Sequence, residues 1–212
     1  MYRKYIKRLI DILFSLFGII ILSPLLLIIC LFIKSNSRGP VMFKQKRVGV
    51  NNSYFYMLKF RTMRIDTPHD VPTHLLKNPE QWITNVGKIL RKTSLDELPQ
   101  LFNILSAKMS FIGPRPALWN QYDLLYERDK YGVNNIRPGL SGWAQINGRD
   151  ELSIEDKAKL DGEYLINLNF LFDCKCLFGT ITTVFKRTGV AEGGVIITSH
   201  MNVINNSHQK VN

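Results

Sequence analysis

The chain reads as an α+β protein, mostly helical. A re-entrant membrane helix at the N-terminus carries a small globular domain with a short β-hairpin and interfacial amphipathic helices. Three observations predict this. An apolar run from Ile12 to Ile33 is basic on both flanks. Two alternating segments, Val41 to Phe43 and Tyr54 to Phe60, flank a turn-rich connection at Gly49 to Ser53. Much of the remaining chain has helical spacing, with apolar faces edged by Trp, Tyr, Lys and Arg, the pattern of helices lying in a membrane interface. Small core-forming faces would read the same way.

The apolar run is 22 residues long with no charged side chain. At ~1.5 Å per residue it would reach about 33 Å as a straight helix, enough for a bilayer core. Arg3, Lys4, Lys7 and Arg8 precede it; Lys34, Arg38, Lys44, Lys46 and Arg47 follow it. Basic residues beside a membrane segment stay on the cytoplasmic side, so both ends ask to stay inside. A helix that enters, breaks and returns through one leaflet meets that demand. Pro24 offers the break, because it lacks the backbone donor and clashes with the preceding turn. Ser23 can hydrogen-bond a carbonyl freed there. The alternative is an ordinary spanning helix with a tolerated proline kink.

Beyond Gly39-Pro40, a turn, come the two strands of the hairpin. Residues 66–80 read as a surface loop. Trp82 to Arg91 and Leu95 to Leu105 read as helices, the second N-capped by Thr93 or Ser94. Gly113 to Pro116 cannot be regular structure. Ala117 to Tyr131 reads as a helix with Leu118, Tyr122 and Leu125 on one face. Arg137 to Gly142 reads as a loop, Ile154 to Leu165 as a polar helix, and Leu177 to Phe185 as an amphipathic one. The division expected is a membrane-inserted segment (1–38), a catalytic domain (39–190) and a tail (191–212).

Net charge is +11, from 28 Lys+Arg against 17 Asp+Glu. From Lys34 to Arg64 there are eight basic residues (34, 38, 44, 46, 47, 59, 61 and 64) and no acid. Such a stretch beside a membrane segment fits an anionic lipid surface, an anionic substrate, or both. Nucleic acid ranks lower, since no motif for it is visible. Cys30, Cys174 and Cys176 make neither a disulfide framework nor a zinc site. The histidines His69, His74, His200 and His208 have no ligand spacing. The apolar run lacks a signal-peptide cleavage pattern, so it is expected to be retained.

Four groups of residues bear chemistry. Asp96-Glu97 sits just inside a predicted helix start. The bland explanation is compensation of the helix dipole. The functional one is a carboxylate nucleophile with a partner, the pair also able to hold Mg2+. Gly113-Pro114-Arg115-Pro116 fixes the backbone on both sides of one arginine, which suits it to presenting a fork to phosphate; a structural turn with a solvated arginine reads the same way. Lys59-Phe60-Arg61 alternates so as to put both cations on one strand face, either simply solvated or, with no acids nearby to pair them, facing an anion. Arg137-Pro138-Gly139 and Trp143-Ala144-Gln145 frame a loop able to contact a nucleotide, although Trp143 is more often core.

In order, Phe43-x-Gln45-x-Arg47-x-Gly49, Lys59 to Met63, Leu95 to Gln100, Met109 to Pro116 and Pro138 to Gln145 resemble the bacterial sugar transferases. More narrowly, the chain is similar to the small monotopic phosphoglycosyl transferases over about residues 1–190. The resemblance implies an enzyme of the bacterial inner membrane, active on the cytoplasmic face. It would move a sugar-1-phosphate from a UDP-sugar to polyprenyl phosphate, releasing UMP. It implies Mg2+ dependence and a covalent aspartyl intermediate, as an initiating step of capsule, O-antigen, exopolysaccharide or glycoprotein glycan assembly. By resemblance Asp96 is the nucleophile and Glu97 its partner, and both are candidate metal ligands. Lys59, Arg91 and Arg115 match phosphate-binding residues. Asp161, in D-x-x-Y to Tyr164, and Arg137 are further candidates. Ser23-Pro24 matches the break of the re-entrant helix. Partners implied are the UDP-sugar, the polyprenyl phosphate and the lipid bilayer, with no nucleic acid; the oligomeric state stays open, a homodimer being one option. Two departures stand out: Lys108 where the family usually has an acid, which would remove a metal ligand if that acid were one and is otherwise a structural position, the reading preferred, and Ser141 for a common threonine.

Two other functions compete. A membrane-tethered binding module would use the basic face alone, indifferent to Asp96. A direct ternary-complex transferase would form no adduct. Neither the sugar nor the pathway is written in these residues.

Overall fold

The computed structural model describes residues 1–67, 78–148 and 151–186. A helical lead-in at Tyr2–Ile6 runs into helix α1, Lys7–Asn36. Strands β1 (Met42–Val48) and β2 (Tyr54–Phe60) form an antiparallel hairpin in the register Met42↔Phe60 to Val48↔Tyr54. Helices α2 (Asn85–Lys92) and α3 (Gln100–Leu105) follow. Strand β3 (Ser110–Ile112) pairs in parallel with β4 (Gly139–Ser141), on either side of α4 (Tyr122–Asp129). The short α5 (Trp143–Ile146), then α6 (Ile154–Ile166) and α7 (Phe170–Lys186), complete the described chain. The architecture is therefore mostly helical α+β with small sheets, as the sequence predicts.

One stripe of α1 faces the domain. Asp11, Ser15, Ile29 and Ile33 are buried, Ile19 and Leu22 pack on Leu101, Ile104 and Met109, and Leu25 and Leu26 pack near Phe60 and Leu90. The other face, including Phe14, Phe17, Ile20, Leu27, Leu31 and Phe32, is exposed. In water this would be a large uncompensated apolar patch. Pro24 lies inside the helix, and the Ser23 hydroxyl donates to the Ile20 carbonyl at 2.7 Å. That is the carbonyl the missing proline N–H would have served, so the local chemistry expected of Ser23 is present.

Both ends of α1 are tied to the same domain. At its start Lys7 pairs with Asp173 at 2.5 Å, Arg8 donates to the carbonyls of Ile104 and Leu105, and Asp11 accepts from Ser110 Oγ and the Phe111 amide. At its far end, buried Arg61 donates to Ser37 Oγ and to the carbonyls of Ser37 and Arg38. Arg61 is thus a latch on the helix rather than an anion-binding neighbour of Lys59. The strand ends at Phe60, and the alternation ends with it.

Several predicted boundaries move for identifiable reasons. Strand β1 extends to Val48, because Asn51 and Asn52 take positive φ and delay the turn. Helix α2 starts only after Thr84, whose side chain accepts from the Gly87 amide, while Ile83 bridges to Met63. The helix expected from Leu95 is split by Pro99 into a 3-10 turn, Leu95–Glu97, and α3. Ser94 takes φ 55 and does not cap through its side chain. Residues 117–121 are not helical, because Ala117 accepts from the Val48 amide and Leu118 bridges to Arg47. Gly139–Ser141, expected as loop, is a strand: a Cβ at Gly139 would lie 2.1 Å from the Gly113 amide nitrogen, an approach only glycine permits. Helix α7 begins at Phe170 rather than Leu177. Most of loop 66–80, the four histidines and the tail 191–212 lie outside the described residues.

Candidate active site

The 3-10 turn at Leu95–Glu97 places two carboxylates between β2 and α2. Asp96 is buried, 9% exposed. Burial pushes its pKa up, Glu97 adds to that, and the charges of Lys59 and Arg91 oppose it. The result is a desolvated carboxylate held between cations. Glu97 is differently placed. Its Oε1 accepts from Lys59 Nζ at 2.7 Å and from Arg115 Nη2 at 3.2 Å, so one carboxylate oxygen collects two cations.

Each cation is positioned by fixed backbone. Lys59 projects from β2, whose free edge is sealed by the side chain of buried Asn103. Asn103 Oδ1 accepts from the Leu58 amide and Nδ2 donates to the Tyr56 carbonyl. Arg91, in the last turn of α2, donates from Nε to Thr62 Oγ1 at 2.9 Å. Arg115 sits between its two prolines, as expected. The structure therefore brings Lys59, Arg91, Arg115, Asp96 and Glu97 together from four separate stretches of chain.

Asp161 is not among them. It is 1% exposed and takes both Nε and Nη2 of Arg128, at 2.9 and 2.6 Å. Arg128 Nη1 in turn donates to the Arg115 carbonyl at 3.0 Å. Asp161 thus positions the arginine loop from behind. Arg137 is also elsewhere: its Nε donates to the Ala107 carbonyl, past the C-terminal end of α3, whereas the dyad precedes the N-terminal end. Trp143 is structural, with Nε1 on Glu163 and its ring 4.9 Å from that of Phe172. Exposed Lys108 lies on the turn after α3, also away from the dyad.

Sequence reasoning missed three contributors. Arg128 fell within the helix expected from Ala117 to Tyr131 and received no reading of its own. Arg47 donates to the Pro116 carbonyl and to Gln45 Oε1, anchoring the far side of the arginine loop. Burial first, then Arg115, bring its pKa down to about 9, and Glu97 counters them; its motif position was the only signal. Asp173, which receives Tyr2, Lys7 and Tyr164, had none.

Among the described residues no cluster of three or more His, Cys, Asp or Glu is placed to hold a metal. Mg2+ commonly takes one or two carboxylates and completes its shell with water and substrate phosphates. The adjacent carboxylates of Asp96 and Glu97 fit that donor set.

A family model described as bacterial sugar transferase matches residues 2–187. The chain is 37% identical over 187 residues to EpsL of Bacillus subtilis, an uncharacterized sugar transferase, covering 88% of this chain and 91% of that one. It is 39% identical over 192 residues to the UDP-glucose:undecaprenyl-phosphate glucose-1-phosphate transferase of Escherichia coli, covering 86% of this chain but 40% of that one. It is 38% identical over 192 residues to the UDP-N-acetylgalactosamine-undecaprenyl-phosphate N-acetylgalactosaminephosphotransferase of Aeromonas hydrophila, at 87% and 45% coverage. The chain thus spans most of the first relative and less than half of the other two.

Proposed function

Since the chain belongs to the bacterial sugar transferase family, we propose that it transfers a sugar-1-phosphate from a UDP-sugar to polyprenyl phosphate at the cytoplasmic face of the bacterial inner membrane. The carrying observation is the buried Asp96 carboxylate set between Lys59 and Arg91 and beside the Lys59–Glu97–Arg115 ion pairs.

In the proposed first step an Asp96 oxygen attacks the phosphorus that bears the sugar. The bond from that phosphorus to the UMP oxygen breaks, and UMP leaves with the electron pair. The sugar-phosphate is then held on Asp96 as an acyl phosphate. In the second step a phosphate oxygen of the polyprenyl phosphate attacks the same phosphorus, the Asp96 bond breaks, and polyprenyl-diphosphate-sugar departs. Burial supports Asp96 in this role, since a poorly solvated carboxylate is more basic and more nucleophilic. Arg115, Arg91 and Lys59 supply the positioned charge that phosphoryl transfer chiefly requires. Mg2+ held by Asp96 and Glu97 would neutralise charge on the diphosphate. Glu97 keeps Lys59 and Arg115 converged.

The two tethered ends of α1 support the re-entrant topology. A straight span would place its ends on opposite bilayer surfaces, more than 40 Å apart with headgroups included, yet one small domain grips both. The relatives named for glucose and for N-acetylgalactosamine match almost equally, so likeness does not select the sugar. The product would start a bacterial glycan such as an exopolysaccharide.

The test is intact mass after incubation with Mg2+ and a panel of UDP-sugars, without lipid acceptor. A gain of one sugar-phosphate, absent in Asp96→Asn, is expected. UMP release only when polyprenyl phosphate is added, with no adduct from any donor, would replace the covalent route by direct transfer.

A further inference from the structure

Outside the dyad, the described residues enclose a cavity of about 150 Å³ where the first turns of α1 meet β3 and the segment before β4. Its charged lining is Arg3, Lys7, Arg8, Asp11 and Arg137. Lys7 is balanced by Asp173 and Asp11 offsets one more cation, which leaves two positive charges in excess. We propose that this cavity binds the phosphate of a bilayer phospholipid headgroup, held by Arg3, Arg8 and Arg137, and so fixes the depth at which the domain sits.

Capping of α3 does not by itself account for this cluster. Cations do favour a helix C-terminus, and Arg8 and Arg137 serve the carbonyls of Ile104, Leu105 and Ala107. Arg137 uses only Nε there, and its Nη groups make no hydrogen bond among the described residues. Two guanidiniums also stand close enough to repel: burial and then Arg137 lower the Arg8 pKa, with Asp11 in partial opposition. A phosphate oxygen between them would remove that repulsion and accept the remaining donors.

Surroundings favour a lipid source over a free ion. The cavity lies just ahead of the apolar run that begins at Ile12, at the level where headgroups would lie if α1 is inserted. Large exposed apolar side chains stand near it. Leu9 and Leu13 follow on α1, and Leu168, which lines the cavity, is flanked along the chain by exposed Ile166, Phe170 and Leu171. Phe170 packs edge-on against Tyr2, ring centroids 6.1 Å apart. Acyl chains would cover these side chains while the phosphate sits among the arginines.

The inference rests on the membrane reading of α1 but not on the transfer chemistry, and its test needs no nucleotide sugar. The full chain is reconstituted in phosphatidylglycerol nanodiscs, released into neutral detergent and weighed by native mass spectrometry. One retained phospholipid is expected. Arg3→Gln should cut its occupancy about tenfold, the effect of losing one charge-assisted hydrogen bond, and Arg3→Gln/Arg137→Gln further. Lys44→Gln, on exposed β1, should leave it unchanged, and circular dichroism checks each fold. Unchanged occupancy in the double variant, or none in the parent chain, would overturn the proposal. Displacement of the lipid by millimolar inorganic phosphate that itself binds with equal affinity would overturn the lipid source.

Discussion

Arg128 Nη1 donates to the backbone carbonyl of Arg115 at 3.0 Å. A buried side chain on α4 thereby sets the height of an arginine loop whose guanidinium points the other way, onto Glu97. Arg128→Lys keeps a positive charge beside Asp161 but loses this forked contact. We expect kcat to fall about 10–100-fold from misplacement of Arg115, with KM for the UDP-sugar changed less. A raised KM with kcat unchanged would mean lost ground-state binding instead. Asp161→Asn should be harsher, since it strands a buried guanidinium at a cost of about 3–5 kcal/mol, read as a large fall in Tm.

Asp96→Asn should abolish the covalent adduct and yet raise Tm, by about 2–4 °C. The sign follows from linkage. Asp96 has a folded pKa above its unfolded value, so its ionised form opposes folding. That opposition is complete above the folded pKa and absent below the unfolded one. The Tm advantage of the asparagine variant should therefore shrink as pH falls toward about 4. Thermal melts at several pH values measure it, and an advantage independent of pH would exclude charge as its cause.

Glu97→Gln removes a like charge that helps hold the Asp96 pKa up. The acid limb of the pH–rate profile should move to lower pH. The rate itself should drop about 10²-fold as Lys59 and Arg115 lose their common anchor. An acid limb that stays in place would assign that limb to another group.

Pro24→Ala returns an N–H to the Ile20 carbonyl and makes Ser23 redundant there. With Ser23→Ala added, α1 regains an uninterrupted ladder and the capacity for a straight span. We expect an N-terminal tag on the double variant to become reachable from outside intact spheroplasts, while the parent's tag stays hidden. A tag exposed in the parent chain would sink the re-entrant topology.

Legibility in the sequence followed the reach of the interactions. The hairpin partner Tyr54–Phe60 and the cap chemistry of Ser23 were readable because they depend on neighbours. Helix α1 was readable as apolar, but not for which side faces the domain: the buried stripe of Asp11, Ser15, Ile29 and Ile33 runs through residues apolar almost all round, where periodicity carries little signal. Asp96 and Glu97 were visible as a pair. Their division of labour was not, because it depends on Lys59 and Arg115 arriving from 38 and 18 residues away. Asp161 was named without its role, since Arg128 lies 33 residues off. Arg61 was misread for the same reason, its partners Ser37 and Arg38 lying just past the end of α1, more than twenty residues earlier.

The grip of the domain on both ends of α1 also bears on how the molecule is made. The helix leaves the ribosome before the domain that grips it: Ser110, which donates to Asp11, is synthesised 99 residues later, and Asp173, which accepts from Lys7, 166 residues later. At about 5–20 residues per second the helix waits many seconds for the groups that will bind it. During that wait the surface that will bury one stripe of it does not yet exist, and lipid can cover its apolar face. Biogenesis would then begin with a helix seated in the bilayer, onto which the catalytic domain folds as on a template. Stalled chains ending before residue 104 should accordingly fractionate with membranes, and their release into the soluble fraction would refute that order.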